Sequence, residues 1–225
     1  MERLIAFGCS ITYGHGLPDC FVAPDNSGPV PSKVSWPELV AKYMNKECVN
    51  VAVPGASNKH IWHKIINFKF KENDTVFILW TFPSRTSVIK HNTVVDIGAW
   101  NYQEYFNYVD FNDSVLMSKL YVSHANMVLA SQNVKVYNLI LERKDREILK
   151  LNETIKHIPI YIHLLEDMYP RALDNVHPGV ECNEVFAKKI LDFLKIENNL
   201  KLHKSLNVLR RFIRKRNDQK RQICK

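Results

Sequence analysis

Close to its start, the 225-residue chain contains the segment most informative about its fold, Leu4-Ile5-Ala6-Phe7-Gly8-Cys9-Ser10-Ile11-Thr12-Tyr13-Gly14. Its apolar first half predicts a buried first strand over residues 3–9, with Gly8 introducing the loop that follows. Ser10 then lies where the strand gives way to the loop. Because α/β proteins bind ligands at that edge of a parallel sheet, Ser10 is a candidate nucleophile, and a nucleophilic serine needs a neighbouring base.

The candidate base lies near the other end of the chain, in Asp174-Asn175-Val176-His177-Pro178-Gly179. A serine hydrolase needs a hydroxyl, a neutral imidazole beside it, and a carboxylate that fixes the tautomer of the imidazole. Asp174 and His177, three residues apart in one loop, supply the last two. The sequence therefore predicts a catalytic set of Ser10, His177 and Asp174, and the alternative is an Asx-type turn that only caps the last helix.

Apolar runs alternate with helical patterns along most of the chain. Residues 75–80 form a nearly continuous apolar run, which is typical of a central parallel strand covered on both faces. Alternating strands and helices indicate βαβ units and a parallel sheet in one α/β domain. Pro159 restricts the last strand to an edge or a strand start. The predicted strands are 3–9, 49–53, 75–80, 134–140 and 158–162, and the predicted helices are 36–44, 59–68, 113–132, 142–157 and 180–195.

Residues 83–112 interrupt this alternation with a polar segment that is too long for an ordinary connection between strand and helix. Its many aromatic side chains argue against disorder. The segment is predicted to be an ordered insertion, either a lid packed on itself or a platform for a sugar or acyl group. Packing is favoured, because buried aromatic side chains usually serve cores. The aromatic residues are Trp100, Tyr102, Tyr105, Phe106, Tyr108 and Phe111.

The positive charge is concentrated at the end of the chain. Residues 201–225 contain ten Lys or Arg and one Asp, which gives 10 − 1 = +9, so residues 1–200 sum to 8 − 9 = −1. Leucines and basic residues there follow helical spacing, and such a basic amphipathic helix binds nucleic acid, anionic membrane or a partner groove. The alternative is an extension whose apolar stripe docks on the domain. We therefore predict a domain over 1–198 and a basic extension over 199–225.

Cysteine usage and hydropathy indicate a compartment. The chain has five cysteines, an odd number without metal-type spacing, which favours reduced thiols in an intracellular protein. No apolar run approaches the length of a membrane span, and the first residues lack the pattern of a signal peptide. A cytoplasmic location is expected, and the oligomeric state stays open.

Three blocks of this sequence together resemble those of the SGNH/GDSL hydrolase family. They are residues 7–14 (Phe-Gly-Cys-Ser-Ile-Thr-Tyr-Gly), 50–58 (Asn-Val-Ala-Val-Pro-Gly-Ala-Ser-Asn) and 174–179 (Asp-Asn-Val-His-Pro-Gly). Residues 35–37 and 80–85 are similar to a branch of the family common in phage and marine bacterial sequences. The resemblance covers about residues 3–195.

The resemblance implies a flavodoxin-like, three-layer α/β/α fold with a central parallel sheet. It also implies ester hydrolysis through an acyl-enzyme, without a cofactor or a metal. In that chemistry Ser10 is the nucleophile, His177 the base and Asp174 its orienting acid. The backbone N–H of Gly55, with that of Ser10, would stabilise the oxyanion.

Two positions depart from the family pattern. Cys9 replaces the usual aspartate before the serine; its side chain is expected to point away from Ser10, so we interpret it as a small buried residue instead of the nucleophile. No asparagine follows the third strand, where the family places an oxyanion donor. Thr81, Arg85 or Asn58 would have to replace it, since losing one donor costs about 10²–10³-fold in rate. Arg85 equally suits a substrate carboxylate.

His60 and His63 lie three residues apart on a predicted helix, a spacing that suits a metal site. No third ligand is evident in the sequence, so an exposed helix face is favoured over a metal site.

The function predicted from these observations is a serine esterase or deacylase that removes a small acyl group, such as acetyl, from a carbohydrate or similar polar carrier. Transfer of the acyl group to another alcohol would use the same residues. The alternative from another class is a weakly active or inactive binding module. It would contact nucleic acid or an anionic membrane through residues 201–225.

Overall fold

The computed structural model describes residues 1–23, 26–91, 93–98, 100–108, 110–149, 157–161 and 170–194. The chain divides into two units, Met1–Ile190 and Leu191–Lys225. The predicted boundary between residues 198 and 199 and the basic extension lie outside the described residues. Among the helices described, none is long and apolar enough to cross a membrane.

Strands and helices alternate as the sequence predicts, with a short helix, α1, directly after the first strand. Two 3₁₀ helices, Gln103–Asn107 and Arg143–Leu149, complete the described elements. The strands are β1 (Arg3–Phe7), β2 (Phe21–Val22), β3 (Asn26–Ser27), β4 (Glu47–Asn50), β5 (Thr75–Trp80), β6 (Thr86–Lys90), β7 (Thr93–Ile97), β8 (Lys135–Ile140) and β9 (His157–Tyr161). The helices are α1 (Ser10–Tyr13), α2 (Trp36–Tyr43), α3 (Asn58–Ile66), α4 (Phe111–Ala130) and α5 (Val180–Phe193).

The central sheet has five strands in the order β4-β1-β5-β8-β9, and every neighbouring pair is parallel. This is the flavodoxin-like strand order, so the predicted α/β fold with a central parallel sheet is confirmed. Ala6 in β1 lies opposite Asn50 on one side and Phe77 on the other. The carboxyl ends of β4, β1 and β5 therefore meet at one edge of the sheet. The strand order reverses at β1, because β4 is added on one side of it and β5 on the other.

Helices cover both faces of the sheet. Phe77 and Trp80 in β5 are three residues apart and so point to opposite faces. The ring of Phe77 lies 6.2 Å from that of Trp36 in α2, and Trp36 in turn packs at 5.4 Å on Phe186 in α5. On the other face, the Trp80 indole N–H donates to Asn138, which is hydrogen-bonded to Asn126 in α4. The sheet thus forms the middle of three layers.

The structure differs from the predicted elements in several places. Helix α1 and the short strands β2 and β3 are not among the predicted elements, and β4 spans 47–50 instead of 49–53. The first strand ends at Phe7 instead of residue 9, because Cys9 already caps α1. The 83–112 segment contains the antiparallel hairpin β6–β7, and α4 begins at Phe111, since the Asp110 carboxylate accepts hydrogen bonds from the N–H groups of Asn112 and Asp113. The helix predicted over 142–157 is a 3₁₀ helix from 143 to 149; residues 150–156 are not described.

Candidate active site

Ser10 is the first residue of α1, directly beyond the carboxyl end of β1. Cys9 is almost fully buried, which confirms its interpretation as a small buried residue. The carbonyl of Cys9 accepts the N–H groups of Thr12 and Tyr13. Within the described residues, the Ser10 N–H has no backbone acceptor, as expected for the first turn of a helix. It is therefore available to a ligand.

His177 and Asp174 form a hydrogen-bonded pair in the loop before α5. His177 Nδ1 lies 2.6 Å from Asp174 Oδ2, and Asp174 Oδ1 accepts the backbone N–H groups of Val176 at 2.9 Å and of His177 at 3.0 Å. The Asx-type turn and the side-chain pair are therefore both present. A proton on Nδ1 shared with the carboxylate leaves Nε2 as the acceptor, which is the tautomer a general base requires.

The loop after α1 contacts the loop that carries Asp174 and His177. The Leu173 N–H donates to the carbonyl of Gly16 at 2.9 Å, and the His15 N–H donates to the carbonyl of Ser10 at 3.0 Å. Gly16 has φ +79°, and a Cβ there would lie 2.5 Å from Asp174 Cγ. Only glycine permits this backbone conformation and this contact. Among the described residues, no hydrogen bond joins the Ser10 hydroxyl to His177; without a substrate such bonds are often long.

His15 is a neighbour of the pair that the sequence analysis missed. Its ring stacks on that of His177, with centroids 4.6 Å apart and planes inclined by 10°, and its Nε2 lies 4.0 Å from Asp174 Oδ2. The only sequence signal is its place between Gly14 and Gly16. The carboxylate of Asp174 therefore faces two imidazoles. That of His177 is hydrogen-bonded to it, and that of His15 is stacked on His177.

The same three side chains offer ligand atoms within 4.8 Å of one another, close enough for a metal site. Their geometry is that of a hydrogen-bonded cluster. Two ligands of one tetrahedral zinc ion lie roughly 3.3 Å apart, given bonds of about 2.0–2.1 Å, whereas His177 Nδ1 and Asp174 Oδ2 are 2.6 Å apart. The nearly parallel rings of His15 and His177 also do not point their nitrogen lone pairs toward a common centre.

The surroundings of His177 and Asp174 keep the imidazole neutral and the carboxylate ionised, which are the forms that proton transfer requires. Burial lowers the pKa of His177 below its ordinary value of 6.5, against the opposing effect of the Asp174 carboxylate, and the nearby His15 and Arg85 lower it further. Burial alone would raise the pKa of Asp174, but hydrogen bonds from the His177 and Val176 backbone and from the His177 ring outweigh it and lower the pKa. At neutral pH a neutral imidazole therefore faces an ionised carboxylate.

Gly55 lies in the loop after β4, at the same edge of the sheet as Ser10. Its N–H has no backbone acceptor among the described residues. A Cβ on Gly55 would lie 3.3 Å from Cζ2 of Trp100, so this indole covers the glycine closely. An N–H group without a backbone acceptor therefore lies in a loop that an aromatic ring contacts.

Asn58 does not serve as a free oxyanion donor, and that prediction is wrong. Its amide NH₂ donates to the Thr81 carbonyl at 3.0 Å and to the Ser118 hydroxyl at 3.1 Å, so both of its hydrogens are engaged. Its Oδ1 accepts the Thr81 N–H at 2.8 Å. The buried Asn58 side chain therefore ties the backbone at the end of β5 to the start of α3.

Thr81 and Arg85 are linked to each other after β5. Arg85 Nη1 donates to Thr81 Oγ1 at 3.0 Å. The guanidinium carbon lies 5.0 Å from the centroid of the Phe82 ring and 4.8 Å from that of Trp100. The Thr81 hydroxyl thus helps to orient Arg85.

Four aromatic residues of the insertion are exposed, so for these four the favoured prediction of packing is wrong. Trp100 is 55% exposed and Tyr108 is 89% exposed; Tyr102 and Phe111 also face solvent. The hairpin β6–β7 supports this segment, because the Asn101 side chain donates to the Asp96 carbonyl and accepts the Gly98 N–H. Trp100 itself packs against Gly98, where a Cβ would overlap its indole ring, and against the Arg85 guanidinium.

His60 lies in a buried network, so the prediction of an exposed helix face is wrong for this residue. Its Nδ1 lies 2.7 Å from Asp96 Oδ2, and only 6% of the residue is exposed. Asp96 Oδ1 accepts the Ser57 N–H at 3.0 Å and the Ser87 hydroxyl at 2.6 Å. The Ser57 and Ser87 hydroxyls are also hydrogen-bonded. This network fastens the hairpin to the start of α3.

Comparisons with known proteins support the fold. No family model matches the chain, and no curated protein matches its sequence. An acetyl xylan esterase, Est2A, from the rumen bacterium Butyrivibrio proteoclasticus matches 86% of this chain with a TM-score of 0.53 and 12% identity. The chain spans about 63% of that protein.

Two further solved structures match over nearly their whole length. A member of the lipolytic G-D-S-L family from Veillonella parvula has a TM-score of 0.50 and 16% identity over 88% of this chain and 100% of its own. A lipase/acylhydrolase from Enterococcus faecalis has a TM-score of 0.51 and 15% identity over 87% of this chain and 96% of its own. The chain therefore has the fold of these lipolytic and esterase structures; the phage and marine branch stays a prediction.

Proposed function

We propose that this protein is a serine hydrolase acting on esters, with Ser10, His177 and Asp174 as its catalytic residues. The observation that carries the proposal is the 2.6 Å hydrogen bond between His177 and Asp174. The loop that contains this pair is bonded to the loop that follows Ser10. The fold shared with lipolytic and esterase structures supports it. A hydrogen-bonded His–Asp pair beside a serine at the edge of a parallel sheet suits acyl transfer.

In the proposed mechanism, Ser10 Oγ attacks the ester carbonyl while His177 Nε2 takes the hydroxyl proton. The Asp174 carboxylate stabilises the imidazolium that forms. The N–H groups of Ser10 and Gly55 stabilise the oxyanion of the tetrahedral intermediate. The imidazolium returns its proton to the leaving alcohol, the acyl-enzyme remains, and water activated by His177 releases the acid.

A fluorophosphonate probe, which forms a covalent bond with activated serines, tests the proposal. We expect the wild type to be labelled at Ser10, and Ser10→Ala and His177→Ala to lose labelling while keeping their circular dichroism spectra. Ser87→Ala is the matched control, since Ser87 also lies in a cluster with an aspartate and a histidine. Labelling that survives in Ser10→Ala would refute the proposed nucleophile.

We further propose that the substrate is an acyl ester of a carbohydrate. Trp100 supports this proposal, because its exposed indole lies against Gly55 and so beside the proposed oxyanion donor. Sugars stack on such aromatic faces. Hydrolysis of acetylated xylo-oligosaccharides and of 4-nitrophenyl acetate should be compared in wild type and Trp100→Ala. A rise in KM for the sugar ester alone is expected, and an equal effect on both substrates would contradict a sugar platform.

The +9 charge of residues 201–225 supports a second proposed role, which is contact with nucleic acid or an anionic membrane. Binding should fall steeply with salt and disappear when the chain is truncated after Leu200. Ester hydrolysis should persist in the truncated protein. Binding that survives truncation would assign it to the domain instead.

A further inference from the structure

Arg85 has a fixed orientation at the edge of the proposed active site. Two aromatic rings, Phe82 and Trp100, lie against its guanidinium at 5.0 and 4.8 Å. One of its N–H groups is bound to Thr81 Oγ1 at 3.0 Å. Cation–π contacts and one hydrogen bond hold the planar group, so its other donors point in defined directions.

This guanidinium has no counter-charge in the described part of the chain. Arg3 shows the contrast, because its Nε and Nη2 bind the two carboxylate oxygens of Asp74 at 2.9 and 2.5 Å. A guanidinium has five N–H donors, and the bond to Thr81 uses one of those of Arg85. Removing a cation from water without an anion is costly, so a half-buried arginine of this kind favours binding of an anionic ligand.

The position of Arg85 indicates that this anion is a group of the substrate itself. Trp100 contacts both Arg85 and the loop at Gly55, whose N–H we assign to the oxyanion. The Arg85 charge is also felt at His177, where it adds to the effect of burial in lowering the imidazole pKa. Since the N–H groups of Ser10 and Gly55 already supply two oxyanion donors, the guanidinium is free to bind a different group of the same molecule.

We propose that Arg85 and Trp100 form a subsite for a carboxylate carried by the substrate, and that the substrate is therefore an acidic ester. This inference rests on the proposed ester hydrolysis. The carboxylate binds the free donors of the guanidinium, in the paired geometry that Arg3 makes with Asp74, while the adjoining part of the substrate lies on the indole. It belongs either to the sugar, as in an acetylated sugar acid, or to the acyl group, as in a half-ester of a dicarboxylic acid.

Two matched pairs of substrates distinguish these sources. The first pair is acetylated methyl glucuronide and acetylated methyl glucoside; the second is succinylated and butyrylated methyl glucoside. We expect kcat/KM to favour the acidic member of one pair by about 10–100-fold, the usual value of a hydrogen bond to a charged group. That ratio should fall to near one in Arg85→Met.

Lys90→Met is the matched control, because it removes an equal charge from an exposed position in β6 of the neighbouring hairpin. It should preserve the preference for the acidic substrate. Equal losses on acidic and neutral substrates in Arg85→Met would assign Arg85 to the oxyanion and overturn the proposal. A wild type without preference in either pair would overturn it as well.

A binding measurement separates this inference from the proposed function. Glucuronate and succinate should change the fluorescence of Trp100 saturably, with glucose as the neutral control, and Trp100→Phe assigns the signal among the four tryptophans. We expect Arg85→Met to abolish the change. Absent fluorophosphonate labelling would refute the hydrolase, whereas labelling without binding of either acid would refute only the subsite.

Discussion

The protein contains two histidine–aspartate pairs of nearly equal geometry in different settings. His177 Nδ1 lies 2.6 Å from Asp174 Oδ2, and His60 Nδ1 lies 2.7 Å from Asp96 Oδ2. The His177 side chain is 20% exposed and that of His60 is 7% exposed. The first pair lies in a loop at the edge of the sheet, and the second lies where the hairpin meets α3.

The serines near the second pair explain its different role. Ser87 donates its hydroxyl hydrogen to Asp96, not to the histidine, and Ser57 accepts the backbone N–H of His60. A serine bound in this way loses no proton to an imidazole, so the cluster suits anchoring instead of nucleophilic attack. A short His–Asp bond alone therefore does not define a catalytic site, because the hydrogen-bond partners of the nearby serine hydroxyls also differ.

The largest expected effect is a loss of activity that distinguishes His177 from His60. His177→Ala should lower kcat/KM for ester hydrolysis by about 10⁴-fold or more, because the general base is lost, and should leave the melting temperature nearly unchanged. His60→Ala should instead lower the melting temperature by about 2–8 °C, since Asp96 loses a buried partner. Steady-state kinetics and thermal denaturation of both variants check this, and the reverse pattern would exchange the two roles.

The next effect concerns the contact that positions Asp174. Gly16→Ala should lower kcat by about 10–100-fold, because a Cβ 2.5 Å from Asp174 Cγ forces the carboxylate away from His177. Gly14→Ala is the matched control, with a similar positive φ but a clash with Ser32 and Ser35. If both variants lose equal activity at equal stability, backbone strain instead of Asp174 placement is responsible.

A smaller effect concerns pH. Because the pKa of His177 is lowered, chiefly by burial, the imidazole stays neutral below its ordinary value of 6.5, and the acidic limb of the kcat/KM profile should lie below that pH. Asp174, His15 and Arg85 are the charged or titratable groups that act on His177. His15→Phe retains a stacked ring but removes a group that opposes the imidazolium, so the limb should move to higher pH. An unmoved limb would exclude this role for His15.

The smallest effect on activity is expected at the anchoring pair. Ser87→Ala removes a hydroxyl bound to Asp96 and Ser57 and should cost about 1–3 kcal/mol of unfolding free energy. Hydrolysis of 4-nitrophenyl acetate should change by less than about twofold. Urea denaturation and the same kinetic assay check this, and a large loss of activity in a folded variant would show that the anchor also positions the active site.

Much of the architecture was predictable from local patterns. The apolar runs at 75–80 and 134–140 and the helical pattern at 113–132 correspond to β5, β8 and α4 within a few residues. In the described part of the helix expected over 142–157, the structure has a 3₁₀ helix at 143–149, since charge composition alone does not distinguish the two kinds of helix. The hairpin β6–β7 was missed because it is a local pairing inside a segment interpreted by its aromatic content.

Local patterns in the sequence specify the parallel α/β fold, and they place Asp174 and His177 three residues apart, close enough to pair within one loop. Short-range periodicity and turn chemistry carry that information. Four contacts became visible in the three-dimensional structure and not before. They are the stacking of His15 on His177, the hydrogen bonds of Asn58 with Thr81 and Ser118, the burial of His60 against Asp96, and the packing of Trp100 on Gly55 and Arg85. These contacts join residues distant in the chain, and their formation depends on how strands and loops pack in space, which spacing along the sequence does not encode.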